Sequence, residues 1–109
     1  MSDEFCIMPN FNITYMHNGF EMTCSCHNKR YNERCHRHEI FFGTANREKS
    51  IKYGLVVFIE PEYHNITAYG VHFNDDLRRQ MQEFAQQVAM KYYEWSTEDF
   101  INIFGKNYL

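Results

Sequence analysis

The chain has 109 residues, of which 17% are aromatic, and its formal net charge is −3. This length predicts one domain, residues 1–109, built around a single core. The mild charge argues against a general nucleic-acid binder and against a strongly acidic nucleic-acid mimic. The acidic start and the lack of any apolar run of membrane-spanning length predict an intracellular, cytoplasmic protein whose cysteines are reduced.

The first predicted element is a β-hairpin that turns at Asn18-Gly19. Asn-Gly between two alternating runs is a strong hairpin signal, because both central residues of the tight turn need positive φ. The implied register pairs residue 17 with 20 and residue 11 with 26. It gives one polar face and one apolar face, the latter made of Phe11, Ile13, Tyr15, His17, Phe20, Met22, Cys24 and Cys26.

The middle of the chain predicts three further strands, at about 35–43, 51–59 and 64–73. Polar loops are expected at 27–34 and 44–50, and a turn at 60–63, where Pro61 cannot continue a central strand. The apolar run Leu55–Ile59 predicts burial on both faces of its strand. Together with the hairpin, these strands predict an antiparallel meander sheet of four to five strands.

An amphipathic helix is predicted at about 75–95, with Asn74 as its N-cap. Its apolar residues recur every three or four positions: Leu77, Met81, Phe84, Val88, Tyr92 and Trp95. Its water-facing side is expected to hold Arg78, Arg79, Gln82, Glu83, Gln86, Gln87 and Lys91. Ser96 and Asp99 predict a capping box for a short final helix at about 97–104. The predicted fold is therefore α+β, with the sheet packed on the long helix.

The second face of strands three to five is also apolar, and two interpretations follow. The residues concerned are Phe41, Val56, Phe58, Tyr69 and Val71. Either the N-terminal segment or the final helix covers them, or they form an interface for a homodimer or a foreign partner.

Cysteines and histidines are concentrated between positions 24 and 38. If strands two and three are neighbours, one face carries a set that could bind structural zinc, with Cys35 as a substitute ligand: Cys24, Cys26, His36 and His38. The alternative is that the thiols belong to the core and the histidines to the surface. We therefore expect either no cofactor or a single Zn.

No catalytic or phosphate-binding fingerprint is present, so we expect a protein that is not an enzyme. Charge is segregated: residues 27–52 hold seven Lys and Arg against three acids, and residues 53–109 hold four against eight. The function predicted is a small protein-binding module, an inhibitor of a larger protein or complex of the kind that mobile genetic elements encode. Exposed aromatic and basic side chains are the expected partner contacts: Arg30, Tyr31, Arg34, Arg37, Phe41 and Tyr63.

The alternative function is a zinc-stabilised nucleic-acid-binding protein that uses the Cys/His-rich basic loop 24–38. Basic residues beside an exposed aromatic ring can bind phosphates and stack a base. A cysteine or histidine enzyme is a third hypothesis, but no single thiol, imidazole and orienting group stand out from the sequence.

Overall fold

The chain is an α+β protein, as predicted. The computed structural model describes residues 5–17, 19–28, 36–59 and 75–109. The strands are β1 (Phe11–His17), β2 (Phe20–Cys26), β3 (His36–Glu39) and β4 (Val56–Ile59). The helices are α1 (Thr44–Tyr53), α2 (Asp75–Tyr93) and α3 (Thr97–Phe104). The predicted turn at 60–63, the predicted strand at 64–73 and the predicted helix cap Asn74 lie outside the described residues.

The N-terminal hairpin has the predicted register. Strands β1 and β2 pair antiparallel from Phe11 opposite Cys26 to His17 opposite Phe20. Gly19 has a φ of 82°, the positive value that the turn requires. The buried side chains lie on the predicted apolar face and are Ile13, Tyr15, Cys24 and Cys26. The outer face is exposed, so the hairpin covers the core with one side only.

The described strands do not follow the predicted meander order. They form two separate antiparallel pairs, β1 with β2 and β3 with β4. The two pairs meet at one bridge, where His27 and Phe58 exchange backbone hydrogen bonds of 3.3 and 3.0 Å. The end of β2 is therefore next to β4 in space, and β3 lies on the side of β4 away from the hairpin.

Helix α1 replaces the predicted loop at 44–50 and the first residues of the predicted strand at 51–59. Ala45, Arg47 and Glu48 favour a helix, yet α1 buries only Ser50, so no apolar stripe reveals it in the sequence. The helix ends at Gly54, whose left-handed φ of 76° lets its amide reach the Ile51 carbonyl. After Gly54 every residue of Leu55–Ile59 is buried, as predicted.

Helix α2 occupies the segment where the sequence predicts one, but its contact face is rotated. Its buried residues are Leu77, Met81, Ala85, Gln86 and Ala89. The prediction that Gln86 faces water is wrong, because the last residues of the chain pack beside it. Gln86 Oε1 accepts a hydrogen bond from the Tyr108 amide at 2.7 Å, and its Nε2 donates to Asn107 Oδ1 at 2.8 Å.

This rotation leaves part of the predicted apolar stripe of α2 at the surface. Phe84 and Val88 are half-buried, and Tyr92 is 57% exposed. Small alanines, Ala85 and Ala89, take the core positions beside them. The helix therefore presents an apolar ridge outward over its C-terminal half.

Helix α3 covers Phe41, one residue of the second apolar face that the sequence predicts. Its capping box is confirmed: Ser96 Oγ accepts from the Asp99 amide at 3.0 Å, and Asp99 Oδ2 accepts from the Ser96 amide at 2.9 Å. Phe100 and Phe104 are buried against Phe41.

The N-terminal segment lies beside the start of β4. The Ile7 amide donates to the Gly54 carbonyl at 2.9 Å, and the Cys6 thiol donates to the Val56 carbonyl at 3.0 Å. Phe41, Val56 and Phe58 are buried, so the interface interpretation is wrong for these three. Tyr69 and Val71 lie outside the described residues.

Candidate partner-binding site

The structure describes two of the six partner contacts that the sequence predicts. Arg37 is on β3, exposed, and its Nε donates to Glu39 Oε2 at 3.0 Å. Glu39 also accepts from Arg47 Nε at 3.4 Å, so one carboxylate joins β3 to α1. The other four predicted contacts lie outside the described residues: Arg30, Tyr31, Arg34 and Tyr63.

The prediction that Phe41 is an exposed contact is wrong. Its side chain is completely buried, and the ring centroids of Phe104 and Tyr108 lie 4.8 Å from its own, with that of Phe100 at 5.4 Å. The final helix and tail thus enclose Phe41 in an aromatic cluster. Its role is to hold the C-terminal region against the sheet.

The geometry proposed for zinc depended on β2 and β3 being neighbours, and they are not. Strand β3 pairs with β4, placing His36 opposite Ile59 and His38 opposite Val57. Cys24 and Cys26 are buried on the core-facing side of the hairpin, whereas His36 is exposed. Within the described part of the chain, no three His, Cys, Asp or Glu side chains gather as a metal site. The substitute ligand Cys35 lies outside that part.

The two hairpin thiols form a buried pair. Cys24 Sγ and Cys26 Sγ lie 3.7 Å apart. The hydrogen bond with Cys24, and then burial, raise the pKa of the Cys26 thiol. Burial likewise raises the pKa of Cys6, against two weaker backbone hydrogen bonds, with Met8 and Val56, that lower it. Protonated thiols are poor nucleophiles and poor metal ligands, so this environment is that of core residues.

The outward ridge of α2 forms one side of an apolar groove of about 570 Å³. Pro9, from the segment before β1, also lines the groove. The ring of Phe84 packs on that of Phe11, with 4.8 Å between their centroids, so β1 supports this side of the groove. We call this surface the α2 groove, and its lining residues are Pro9, Phe84, Gln87, Val88, Lys91 and Tyr92.

The described lining of the α2 groove is mostly apolar. Its described lining has one cation, Lys91, and one amide, Gln87, and the remaining four side chains are apolar or aromatic. No carboxylate, thiol or imidazole lies among these lining residues to act as acid, base or nucleophile. The sequence signal for this site was the apolar stripe of α2, which by itself indicates only a core-facing helix.

A second, polar cleft of about 500 Å³ lies near the start of α2. Its cations are already engaged: Arg78 pairs with Asp75 at 2.5 Å, and the Lys106 ammonium lies 5.1 Å from the centre of the Tyr108 ring. Arg79 pairs with Asp76 at 2.7 Å in the same way. Because these cations already have partners within the chain, we regard the cleft as a weaker candidate for binding than the α2 groove.

Comparison with known proteins gives no family for the chain. No family model matches it, and neither the curated proteins nor the solved structures contain a significant match. Among the helices that the structure describes, none has the length and apolar character needed to cross a bilayer.

Proposed function

We propose that this chain is a small non-enzymatic protein-binding module that inhibits a larger partner by occupying its surface. The observation that supports the proposal is the α2 groove, in which Phe84, Val88 and Tyr92 form an outward apolar ridge on a rigid helix. A groove of this kind suits a polypeptide segment that inserts apolar side chains between α2 and Pro9.

The exposed aromatic ring of Tyr92 is the expected anchor of this interaction. Tyrosine combines a large apolar surface with few rotatable bonds, and it is enriched among residues that dominate binding energies. Full burial of an apolar side chain of this size contributes about 1.5–3 kcal/mol. Lys91 beside it adds a charge that would favour a partner with a carboxylate at that position.

The loop residues predicted from the sequence remain part of the proposal. Arg30, Tyr31, Arg34 and Tyr63 are expected to add contacts at the edges of the partner, and Arg37 is exposed on β3. Charges of both signs on the partner-facing surface would steer the encounter, so the association rate should fall with added salt.

The experiment is a comparison of three baits in a pull-down from the native host, followed by mass spectrometry. The baits are the natural chain, Tyr92→Asp in the α2 groove and Phe20→Ser, which removes another aromatic ring, 72% exposed, on the hairpin. We expect a protein that the natural chain and Phe20→Ser retain and Tyr92→Asp loses. Equal capture by all three baits would show that the groove is not the docking surface.

A fourth bait separates the groove from the basic loop. Arg30→Ala with Tyr31→Ala removes the predicted loop contacts and leaves every groove residue in place. Capture lost with this bait alone would move the docking surface to the loop.

A further inference from the structure

We propose that the polypeptide occupying the α2 groove is a second copy of this chain, with the two α2 helices packed antiparallel about a two-fold axis near Gln87 and Val88. This inference rests on the proposed function, because it names what the groove binds when the larger partner is absent. The second copy and the larger partner then compete for the same surface. Its basis is that the exposed face of α2 is complementary to itself in that one orientation.

The apolar ridge is symmetric about Val88. Phe84 precedes Val88 by four residues and Tyr92 follows it by four. A two-fold axis at Val88, perpendicular to the helix, therefore brings Phe84 opposite the partner's Tyr92, and Val88 opposite the partner's Val88. Ridges at this four-residue spacing are those that interlock when two helices pack.

The neighbouring charges are symmetric about Gln87. Glu83 precedes Gln87 by four residues and Lys91 follows it by four, on the row of side chains next to the ridge. An antiparallel partner with its axis at Gln87 places Glu83 beside the partner's Lys91, and Lys91 beside the partner's Glu83. The two-fold symmetry therefore produces two equivalent ion pairs from one acidic and one basic residue of each chain.

Glu83 and Lys91 cannot satisfy each other within one chain. They are separated by about 12 Å along the helix at 1.5 Å per residue. Among the residues that the structure describes, neither has an ion pair, whereas Arg78 and Arg79 pair with Asp75 and Asp76 on the same helix. Lys91 lines the α2 groove, and Glu83 lies eight residues earlier on the same row of side chains, where an antiparallel partner helix would reach both.

One axis serves both sets of residues. The centres at Gln87 and Val88 are one residue apart, or about 1.5 Å along α2, which side chains absorb. A parallel pair would instead bring Glu83 beside the partner's Glu83 and Lys91 beside the partner's Lys91, so the charges select the antiparallel orientation.

Sedimentation equilibrium of the full chain over a wide concentration range tests this arrangement. We expect a reversible dimer for the natural chain, since a pair of helices buries less surface than permanent dimers do. Glu83→Lys and Lys91→Glu should each weaken dimerisation by about tenfold or more, because two like-charge contacts replace two ion pairs. The double variant, which exchanges the two charges, should restore the dimer.

Mixing the two single variants gives the sharpest result. A chain with lysine at both positions and a chain with glutamate at both positions repel their own copies and attract each other. An equimolar mixture should therefore form a one-to-one dimer at concentrations where each variant alone is mostly monomeric. Circular dichroism of each single variant checks that the helices are intact.

Two results would overturn the inference. One is a natural chain that stays monomeric at every concentration, and the other is a dimer whose strength is the same in all the charge variants. In either case the pull-down with Tyr92→Asp still reports on the proposed function. Loss of capture with that bait would leave a foreign polypeptide as the occupant of the groove, whereas equal capture would reject the groove itself.

Discussion

The Ser50 hydroxyl holds the backbone of Phe41 through two hydrogen bonds. Its Oγ donates to the Phe41 carbonyl at 2.7 Å and accepts from the Phe41 amide at 3.0 Å. Both residues are completely buried, so these bonds satisfy peptide groups that water cannot reach. Helix α1 thereby fixes the segment after β3, and the Phe41 ring points into the aromatic cluster of the C-terminal region.

Replacing Phe41 with alanine should destabilise the protein by about 3–5 kcal/mol, the range for deleting a buried phenylalanine ring. The neighbouring residue provides a matched control, because Phe42 is 44% exposed and Phe42→Ala should cost far less. Chemical denaturation of both variants measures the difference. Equal losses of stability would contradict the enclosed position of Phe41 and revive its predicted role as a surface contact.

The elements that could be predicted from the sequence are those whose signal is local. The dipeptide Asn18-Gly19 predicts the hairpin register that β1 and β2 show, Ser96 and Asp99 predict the cap of the final helix, and the run Leu55–Ile59 indicates a buried strand. In each case, neighbouring residues determine the conformation through turn geometry, capping or continuous burial.

The predictions fail where the conformation or burial of a residue depends on a distant part of the chain or where no apolar pattern is present. Gln86 is buried because Tyr108 and Asn107, more than twenty positions later, bond to its amide. Helix α1 is missed because it rests on the surface and has no apolar period. Strand order depends on the bridge from His27 to Phe58, which no local pattern encodes.

The candidate site could not be predicted for the same reason. The sequence shows the stripe of Phe84, Val88 and Tyr92 but not which part of it the core covers. Only the packing of the C-terminal tail on the other side of α2 leaves those residues at the surface. Without knowledge of tertiary contacts, an apolar stripe on a helix predicts that its residues are buried in the core.

The buried side-chain amide of Gln86 should contribute to stability, whereas the exposed amide of Gln87 should not. Gln86→Ala leaves the Tyr108 amide and Asn107 side chain without their partner, which should cost about 1–3 kcal/mol. Gln87→Ala removes an exposed amide and should change stability by less than about 0.5 kcal/mol. Denaturation midpoints of the two variants give the comparison, and a similar small effect for both would mean that Gln86 faces water after all.

The thiols of Cys24 and Cys26 should resist alkylation until the protein unfolds. Both are buried and share a hydrogen bond, so iodoacetamide should modify them only at denaturant concentrations that disrupt the hairpin. Peptide mapping by mass spectrometry identifies each labelled site.

A chelator added to the same labelling reaction tests the zinc alternative. Core thiols should react at the same rate with and without it. Faster labelling of Cys24 and Cys26 after chelation would instead indicate a metal that protects them, and the nucleic-acid-binding alternative would then regain support.

Tyr93 should contribute to a loss of stability at alkaline pH, together with the other groups whose pKa the fold raises. Its hydroxyl donates to the Tyr53 carbonyl at 2.8 Å, and burial, followed by the neighbouring Tyr92 and Tyr53, raises its pKa above the ordinary value of 10.0. Because the pKa is higher in the folded state, the protonated tyrosine contributes to folding stability. This contribution is complete at pH values below the pKa of the unfolded state and is lost as the pH rises through the pKa of the folded state. Thermal midpoints should therefore be flat near neutrality. They should decline first above about pH 9, where the unfolded state loses the protons of the thiols whose pKa the fold raises, and more steeply above about pH 10, where tyrosine joins them. Tyr93→Phe should cost about 1 kcal/mol at neutral pH and make the alkaline decline shallower. Tyr92→Phe, which alters an exposed hydroxyl, should keep most of the decline, and an unchanged slope in Tyr93→Phe would assign it to another group.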